Sequence, residues 1–354
     1  MPLVLDTARS GPAVALDSGH GITIGLVNNM PDTAWEATER QFIALVREAA
    51  GRANVRLKLF SLTDLPRADH VRHELAERYR DLSELWDTRL DGLIVTGTEP
   101  RAANLKDEPY WTSLAKLVDW ARQQTASTIW SCLAAHAAVL HADGIERRPL
   151  ADKQFGVFDY DVLATHPIMN GANPQMRVPH SRWNDLPETA LASCGYRILT
   201  RSAVAGVDMF AAPERGFYSS FFFFQGHPEY EAATLLREYR RDIGCYLRGE
   251  REHYPGMPQG YFNDQATDLV NAFRLRAVGA RRDDLIADFP MRALEAGLEV
   301  SWRRSAIGVF ERWLDLLKER KAERRILTIP RQRSARRNWR NGSMRPAADG
   351  SSVG

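Results

Sequence analysis

"STIWSCLAAHAAVLHADG", residues 127–144, decides the fold. Its first six residues are a short apolar run with the composition of a buried strand. The next twelve are alanine-rich, helical in character, and closed by Gly144. Strand passes into helix with no loop between them, so Cys132 sits on a sharp strand–turn–helix junction. Such a junction lifts a side chain clear of the sheet and points a helix N-terminus at it. The N-terminal dipole favours a thiolate, and the backbone amide of Leu133 would face an oxyanion formed on an acylated substrate. The same context also suits a buried structural thiol. Cys194 and Cys245 lack it and read as structural.

Upstream, the strand-then-helix pattern repeats. "ITIGLVN" (22–28), "VRLKLF" (55–60) and "DGLIVTG" (91–97) read as strands. Helical periodicity follows in "AWEATERQFIALVREAAG", in the charged stretch 71–86 and in "YWTSLAKLVDWARQ" (110–123). Thr33 and Glu36 stand three apart, the spacing of a capping box ahead of the first helix. Alternation at this spacing predicts an α/β fold with a doubly wound, mostly parallel sheet, whose ligands bind beyond the carboxyl ends of the strands. Residues 145–215 read as irregular, with β-type runs that decorate the sheet and help form the site.

Downstream, "FFFFQGHPEY" (221–230) is the most hydrophobic strand in the chain, and it delivers His227 and Glu229 on one turn across Pro228. A cysteine nucleophile needs an imidazole to move its protons, and the imidazole needs an acceptor to hold its tautomer. His227 is the candidate base and Glu229 its brace. Helical patterning returns at 233–249 and again over 266–320.

Hydrophobic residues are 44% of the 354 and charged residues 26%, the make-up of a soluble globular chain. No apolar run is long enough to span a bilayer, and the N-terminus does not read as a secretory signal. Residues 1–20 read as a loose lead-in. Three sparse cysteines argue for a reducing, cytoplasmic setting and against a disulfide framework or a zinc site, so no metal is expected. The basic residues concentrate at the end: from Glu319 onward ten lysines and arginines face three acids. Residues 326–354 read as a solvated, disordered tail, the sharper alternative being a weak polyanion contact.

Several blocks resemble the homoserine O-succinyltransferase family, within the class I glutamine-amidotransferase-like (flavodoxin-like) fold. They are "NNMPDTAWEATERQF", "GLIVTGTEP", "YWTSLAKLVDWA", "STIWSCLAAHAAVLHADGI", "DKQFGVFDYDV", "VPHSRWND" and "GHPEYEAATLLREYRRDI", covering roughly residues 22–262. The chain past 265 matches the family poorly, and its helical patterning reads as a C-terminal extension over 266–325 with no catalytic role. The resemblance implies an acyltransferase domain over 21–265. It implies that Cys132 becomes an acyl-thioester, that His227 is the general base with Glu229 as partner, and that Lys153, Ser181 and Arg241 bind substrate. It also implies transfer of a succinyl group from succinyl-CoA, as co-substrate and with no cofactor, to L-homoserine for methionine biosynthesis, in a homodimer. Nothing suggests a nucleic-acid or membrane partner.

The sequence departs from the family at Leu133, where tryptophan is usual, at His136, where glutamine is usual, and in the loop "TGTEPRAANLKDEPYW". Arg101 in that loop falls where the resemblance puts an influence on acyl-donor choice. Its guanidinium is expected to pair with the free carboxylate of a succinyl group. The open alternatives are acetyl-CoA as donor, serine as acceptor, a glutamine amidohydrolase of the same fold, or a non-catalytic binding protein. The amidohydrolase usually has glycines around its cysteine, which Trp130, Ser131, Leu133 and Ala134 replace here.

Overall fold

The computed structural model describes residues 3–8, 21–213 and 219–328. The chain opens with β1 (Leu3–Asp6), β2 (Ile22–Val27), α1 (Trp35–Ala50) and β3 (Val55–Phe60). Next come α2 (Asp69–Arg78), α3 (Leu82–Asp87), β4 (Gly92–Val95), α4 (Trp111–Gln124), β5 (Ser127–Ser131) and α5 (Leu133–Asp143). A β-rich middle follows: β6 (Arg148–Val162), β7 (Gln175–Asp185), α6 (Glu188–Ser193), β8 (Arg197–Ile198), β9 (Thr200–Ser202), β10 (Gly206–Val207), β11 (Met209–Ala211) and β12 (Ser220–Phe224). The chain closes with α7 (Thr234–Leu247), α8 (Asp264–Gly279), α9 (Met291–Glu295) and α10 (Arg303–Thr328).

Eight strands form the main sheet in the order β1-β3-β2-β4-β5-β12-β11-β8. Every pairing from β1 to β12 is parallel, and β11 and β8 add an antiparallel edge. The order β3-β2-β4-β5-β12 is that of a flavodoxin-like doubly wound sheet. Its winding reverses between β2 and β4, and the loops after those strands diverge to leave a crevice.

Two hydrophobic layers clamp the sheet. The four phenylalanines of β12 divide by the two-residue period of a strand. Phe222 and Phe224 join the layer with α1 and α10, while Phe221 and Phe223 join the layer with α4 and α5. Each is at most 4% exposed, which makes β12 a rigid central post.

Four features differ from the sequence reading. Within the expected lead-in, Leu3–Asp6 pairs with β3 as an edge strand. The capping box does not form: the Pro31 carbonyl accepts from the amides of Ala34 and Trp35, and α1 starts from Ala34 without a side-chain cap. Residues 145–215 are less irregular than expected, because β10-β9-β6-β7 form a second, antiparallel sheet. Finally, α10 is a covering layer of the main sheet rather than an appendage. Trp313 and Leu317 are fully buried over Gly92, where any Cβ would lie 2.6 Å from Leu317 Cδ1 and 2.9 Å from the Trp313 ring. Trp313 Nε1 also donates to Ser127 Oγ on β5 at 3.0 Å. Of the expected tail, residues 326–328 end α10 and the rest lies outside the described residues.

This packing makes Trp313→Ala a test of whether the C-terminal helix belongs to the core. Removing a buried indole is expected to cost about 3–5 kcal/mol, read as a lowered midpoint in urea unfolding. A loss below about 1 kcal/mol, within the range of surface substitutions, would contradict the packing.

Candidate active site

The site lies where β5 and β12 end side by side. Their register is continuous to the last pair, Ser131 with Phe224. One more bond extends it: the Cys132 amide donates to the Phe224 carbonyl at 2.7 Å. Cys132 then turns with φ +53° and ψ −120°, making it the one non-glycine residue with positive φ among the described residues. Such a conformation costs on the order of 1–3 kcal/mol in a non-glycine residue and persists only where the surroundings impose it. Here β5 imposes it from one side and α5, beginning at Leu133, from the other.

The Leu133 amide is one of the N–H groups that a helix N-terminus leaves without an intrahelical acceptor. Gly97, after β4, lies directly against it: a Cβ there would stand 2.8 Å from Leu133 N. A side chain at position 97 would therefore cover the amide, and glycine leaves it open. The geometry suits an oxyanion beside the Cys132 sulfur.

His227 and Glu229 occupy the turn after β12. His227 Nδ1 and Glu229 Oε1 are 2.8 Å apart, both groups are buried, and the His227 ring also hydrogen-bonds the Cys132 sulfur. Burial alone would disfavour the imidazolium. The Cys132 sulfur and then the Glu229 carboxylate outweigh it, and the His227 pKa stands well above 6.5. The three residues singled out from sequence thus form one connected row.

The turn itself is fastened from below. Pro179 O accepts from His227 N at 2.8 Å, and Asp208 Oδ1 accepts from Gly226 N at 2.6 Å. Burial pushes the Asp208 carboxyl up to about 6, against the pull of the Gly226 amide and Arg182. Gln225 Oε1 accepts from Leu186 N at 3.1 Å and from His136 Nε2 at 3.0 Å, which ties α5 to the same turn. Burial, with Arg182 nearby, pushes His136 down to about 3, so it is a neutral hydrogen-bonding strut.

Lys153, Ser181 and Arg241 gather in a second cluster around two acids of α7 that the sequence reading missed. Glu238 accepts from Ser181 Oγ and, at 2.6 Å, from Tyr230 OH. Asp242 lies 3.1 Å from Lys153 Nζ and 3.2 Å from Arg241 Nη2. Tyr230 joins the clusters, since its ring stacks on His227 with centroids 4.3 Å apart. The available signal was the i, i+4 spacing of Glu238 and Asp242, which puts both on one face of the helix leaving the His–Glu turn. Arg241 keeps 61% of its side chain exposed, while its Nε and Nη2 donate to Asp242 Oδ1 at 3.3 and 3.2 Å.

Arg101 stands apart, on the rim of a cleft of about 180 Å³ at the switch point between β2 and β4. Asn29 ties the surrounding loops: its amide donates to Thr96 Oγ1 at 2.8 Å, and its Oδ1 accepts from Leu62 N at 3.2 Å. Glu108 holds the loop by accepting from the amides of Arg101 and Ala102. Among the described residues no group of three metal-ligating side chains is arranged around a cation, and no helix is long and apolar enough to cross a membrane.

The row of charges predicts a histidine titration. By NMR, His227 is expected to hold its proton well above pH 6.5. Cys132→Ala removes the leading cause of the upward shift and lowers the apparent pKa; Glu229→Gln lowers it less. An unchanged titration in Cys132→Ala would show that the sulfur and the imidazole are not coupled.

Known proteins resemble this chain in sequence over most of its length. The sequence model of the homoserine O-succinyltransferase family matches residues 13–323, so the likeness runs well past residue 265 and takes in most of α10. Among curated relatives, the homoserine O-succinyltransferase of Rhodopseudomonas palustris is 50% identical over 83% of this chain and 87% of its own. That of Methylorubrum extorquens is 48% identical over 85% and 88%. That of Bradyrhizobium japonicum is 48% identical over 90% and 99%. Among solved structures, a glutamine amidotransferase from Thermotoga maritima aligns at TM-score 0.46 with 11% identity, covering 85% of this chain and 100% of that one. Matched by the family model over most of its length and by relatives near half identity, the chain belongs to the homoserine O-succinyltransferase family.

Proposed function

We propose that this protein transfers a succinyl group from succinyl-CoA to the hydroxyl of L-homoserine, through an acyl-thioester on Cys132. The observation that carries the reading is the row Cys132–His227–Glu229 at two adjoining strand ends, in a chain of the homoserine O-succinyltransferase family. The Cys132 thiolate attacks the thioester carbonyl of the donor, and the negative oxygen that forms faces the Leu133 amide. The carbon–sulfur bond to CoA breaks, and the His227 imidazolium gives its proton to the departing thiolate. One thioester replaces another, so little free energy is lost in storing the acyl group.

The second half-reaction follows from the first electrostatically. Acylation abolishes the charge on Cys132, which is the leading cause of the high His227 pKa. The imidazole is then free of its proton and takes one from the γ-hydroxyl of homoserine as the oxygen attacks. General-base assistance of this kind is worth about 10²–10⁴-fold in rate. Cys132 leaves as a thiolate and the imidazolium is restored.

The cluster around Glu238 and Asp242 is the natural seat for the acceptor. Arg241, paired with Asp242, offers its exposed guanidinium to the α-carboxylate, Lys153 and Ser181 line the approach, and the two acids favour the α-ammonium group. Arg101 meets the distal carboxylate of the donor at the cleft rim. No cofactor enters the scheme, and the enzyme is assigned to the cytoplasm as a homodimer in methionine biosynthesis.

Initial-rate kinetics test the reading. Varying both substrates should give parallel double-reciprocal lines, and Cys132→Ser should reduce turnover at least on the order of 10³-fold. Arg101→Ala should lower kcat/KM for succinyl-CoA relative to acetyl-CoA. Intersecting lines would rule out the relay, and an unaltered donor preference would remove Arg101 from donor choice.

A further inference from the structure

Next to two residues that line the switch-point cleft, Tyr110 and Glu108, lies a cation that the scheme above does not use. Arg147 leaves the turn after α5 and is half-buried. Its hydrogen bond is a long one, from Nη2 to the Ala103 carbonyl at 3.4 Å, and among the described residues no carboxylate pairs with it. It feels three groups electrostatically: the Tyr110 hydroxyl, the Glu108 carboxylate and the Cys132 sulfur. It is bonded to the Arg101 loop, since Ala103 is only two residues beyond Arg101, and it is within electrostatic reach of the Cys132 sulfur.

The groups around it are incompletely satisfied. Tyr110 is 3% exposed and Glu108 4% exposed; the Tyr110 hydroxyl and the Glu108 Oε2 lie near one another but do not meet in a well-formed hydrogen bond. Glu108 is a poor candidate to neutralise Arg147, because its other oxygen already accepts from the Arg101 and Ala102 amides. A buried donor without an acceptor carries a real cost, which a suitable ligand atom removes. Both Tyr110 and Glu108 line the cleft, whose rim carries Arg101 and Glu99. Glu99 also lies within electrostatic reach of the Arg241 guanidinium. The Arg147 guanidinium and the Tyr110 hydroxyl together suit one small anion with two acceptor oxygens.

A dicarboxylic acyl group held on Cys132 brings such an anion. Four bonds of about 1.5 Å separate the sulfur from the far carboxylate carbon of a succinyl thioester, which puts it about 5 Å away when extended. We propose that Arg147 and the Tyr110 hydroxyl form the inner subsite for the distal carboxylate of the acyl group, with Arg101 as the outer cation. This rests on the acyl-enzyme reading of Cys132. A neutral acyl chain of equal length leaves the guanidinium and the hydroxyl without an acceptor, and a site built around buried polar groups rejects a ligand that cannot pair them.

The test compares succinyl-CoA with butyryl-CoA, its neutral counterpart of equal chain length, at saturating homoserine, using the full chain. Arg147→Gln should reduce kcat/KM for succinyl-CoA on the order of 10²-fold while leaving butyryl-CoA within about twofold, no more than a surface change produces. Arg147→Lys should recover only part of the loss, because an ammonium cannot offer two parallel donors. Tyr110→Phe removes one hydroxyl and little volume, and should narrow the succinyl-to-butyryl ratio without lowering the melting temperature. Equal losses with both donors, or an unchanged ratio in both Arg147→Gln and Tyr110→Phe, overturn the subsite while the relay stands. Absence of acyl transfer by the wild type overturns the relay and the subsite together.

Discussion

The parallel pairing of β5 with β12 is the constraint on which the rest of the site depends. It ends with Cys132 donating its amide to the Phe224 carbonyl. That bond spans most of a hundred residues of sequence and brings the turn carrying Cys132 beside the turn carrying His227. Neither turn could supply this alignment alone. Cys132 sits in a conformation that a free chain avoids, and His227 is a buried imidazole that would shed its proton without its neighbours. The hydrophobic strand is rigid because all four phenylalanines are gripped from both faces. The free energy of that packing offsets the strain and the burial of charge a few residues further on.

The proposed relay asks one base to serve two opposite steps. In the resting protein the Cys132 sulfur and Glu229 raise the His227 pKa against burial. In the proposed scheme acylation of the sulfur removes the larger of those two supports, and burial then favours release of the proton. On that scheme the chemistry resets the base without a conformational change. Tyr230, stacked on His227 and bonded to Glu238, connects this event to the cluster where the acceptor is proposed to dock.

Much of this was legible from residues, for reasons of range. The strands at Ile22, Val55, Gly92 and Ser127 are short apolar runs followed by periodic helices, and local composition suffices for those. The strand–turn–helix junction at Cys132 and the His–Pro–Glu turn are local too. What escaped depends on distant partners. The second half of β6, "FGVFDYDV", reads as a β-type run, but its first half, "RPLADKQ", is mostly polar or exposed and joins β7 through a bulged register. The burial of Trp313 depends on the small Gly92, more than two hundred residues earlier. Thr33 and Glu36 satisfied a spacing rule, but the Pro31 carbonyl closed the turn first. Glu238, Asp242 and Arg147 look like surface charges in sequence, and only the folded chain collects them. The helical C-terminus carries none of the sequence blocks that resemble the family, yet it covers one face of the sheet and lies largely within the family match.

The most direct test of the account is the mass of the intact protein after mixing with succinyl-CoA in the absence of acceptor, beside Cys132→Ser. A covalent relay predicts a succinyl-sized increase that maps to the peptide containing Cys132, is absent from the variant, and disappears when homoserine is added. An unmodified wild-type protein that still converts homoserine would mean direct transfer between the two substrates, and would contradict the role given to Cys132.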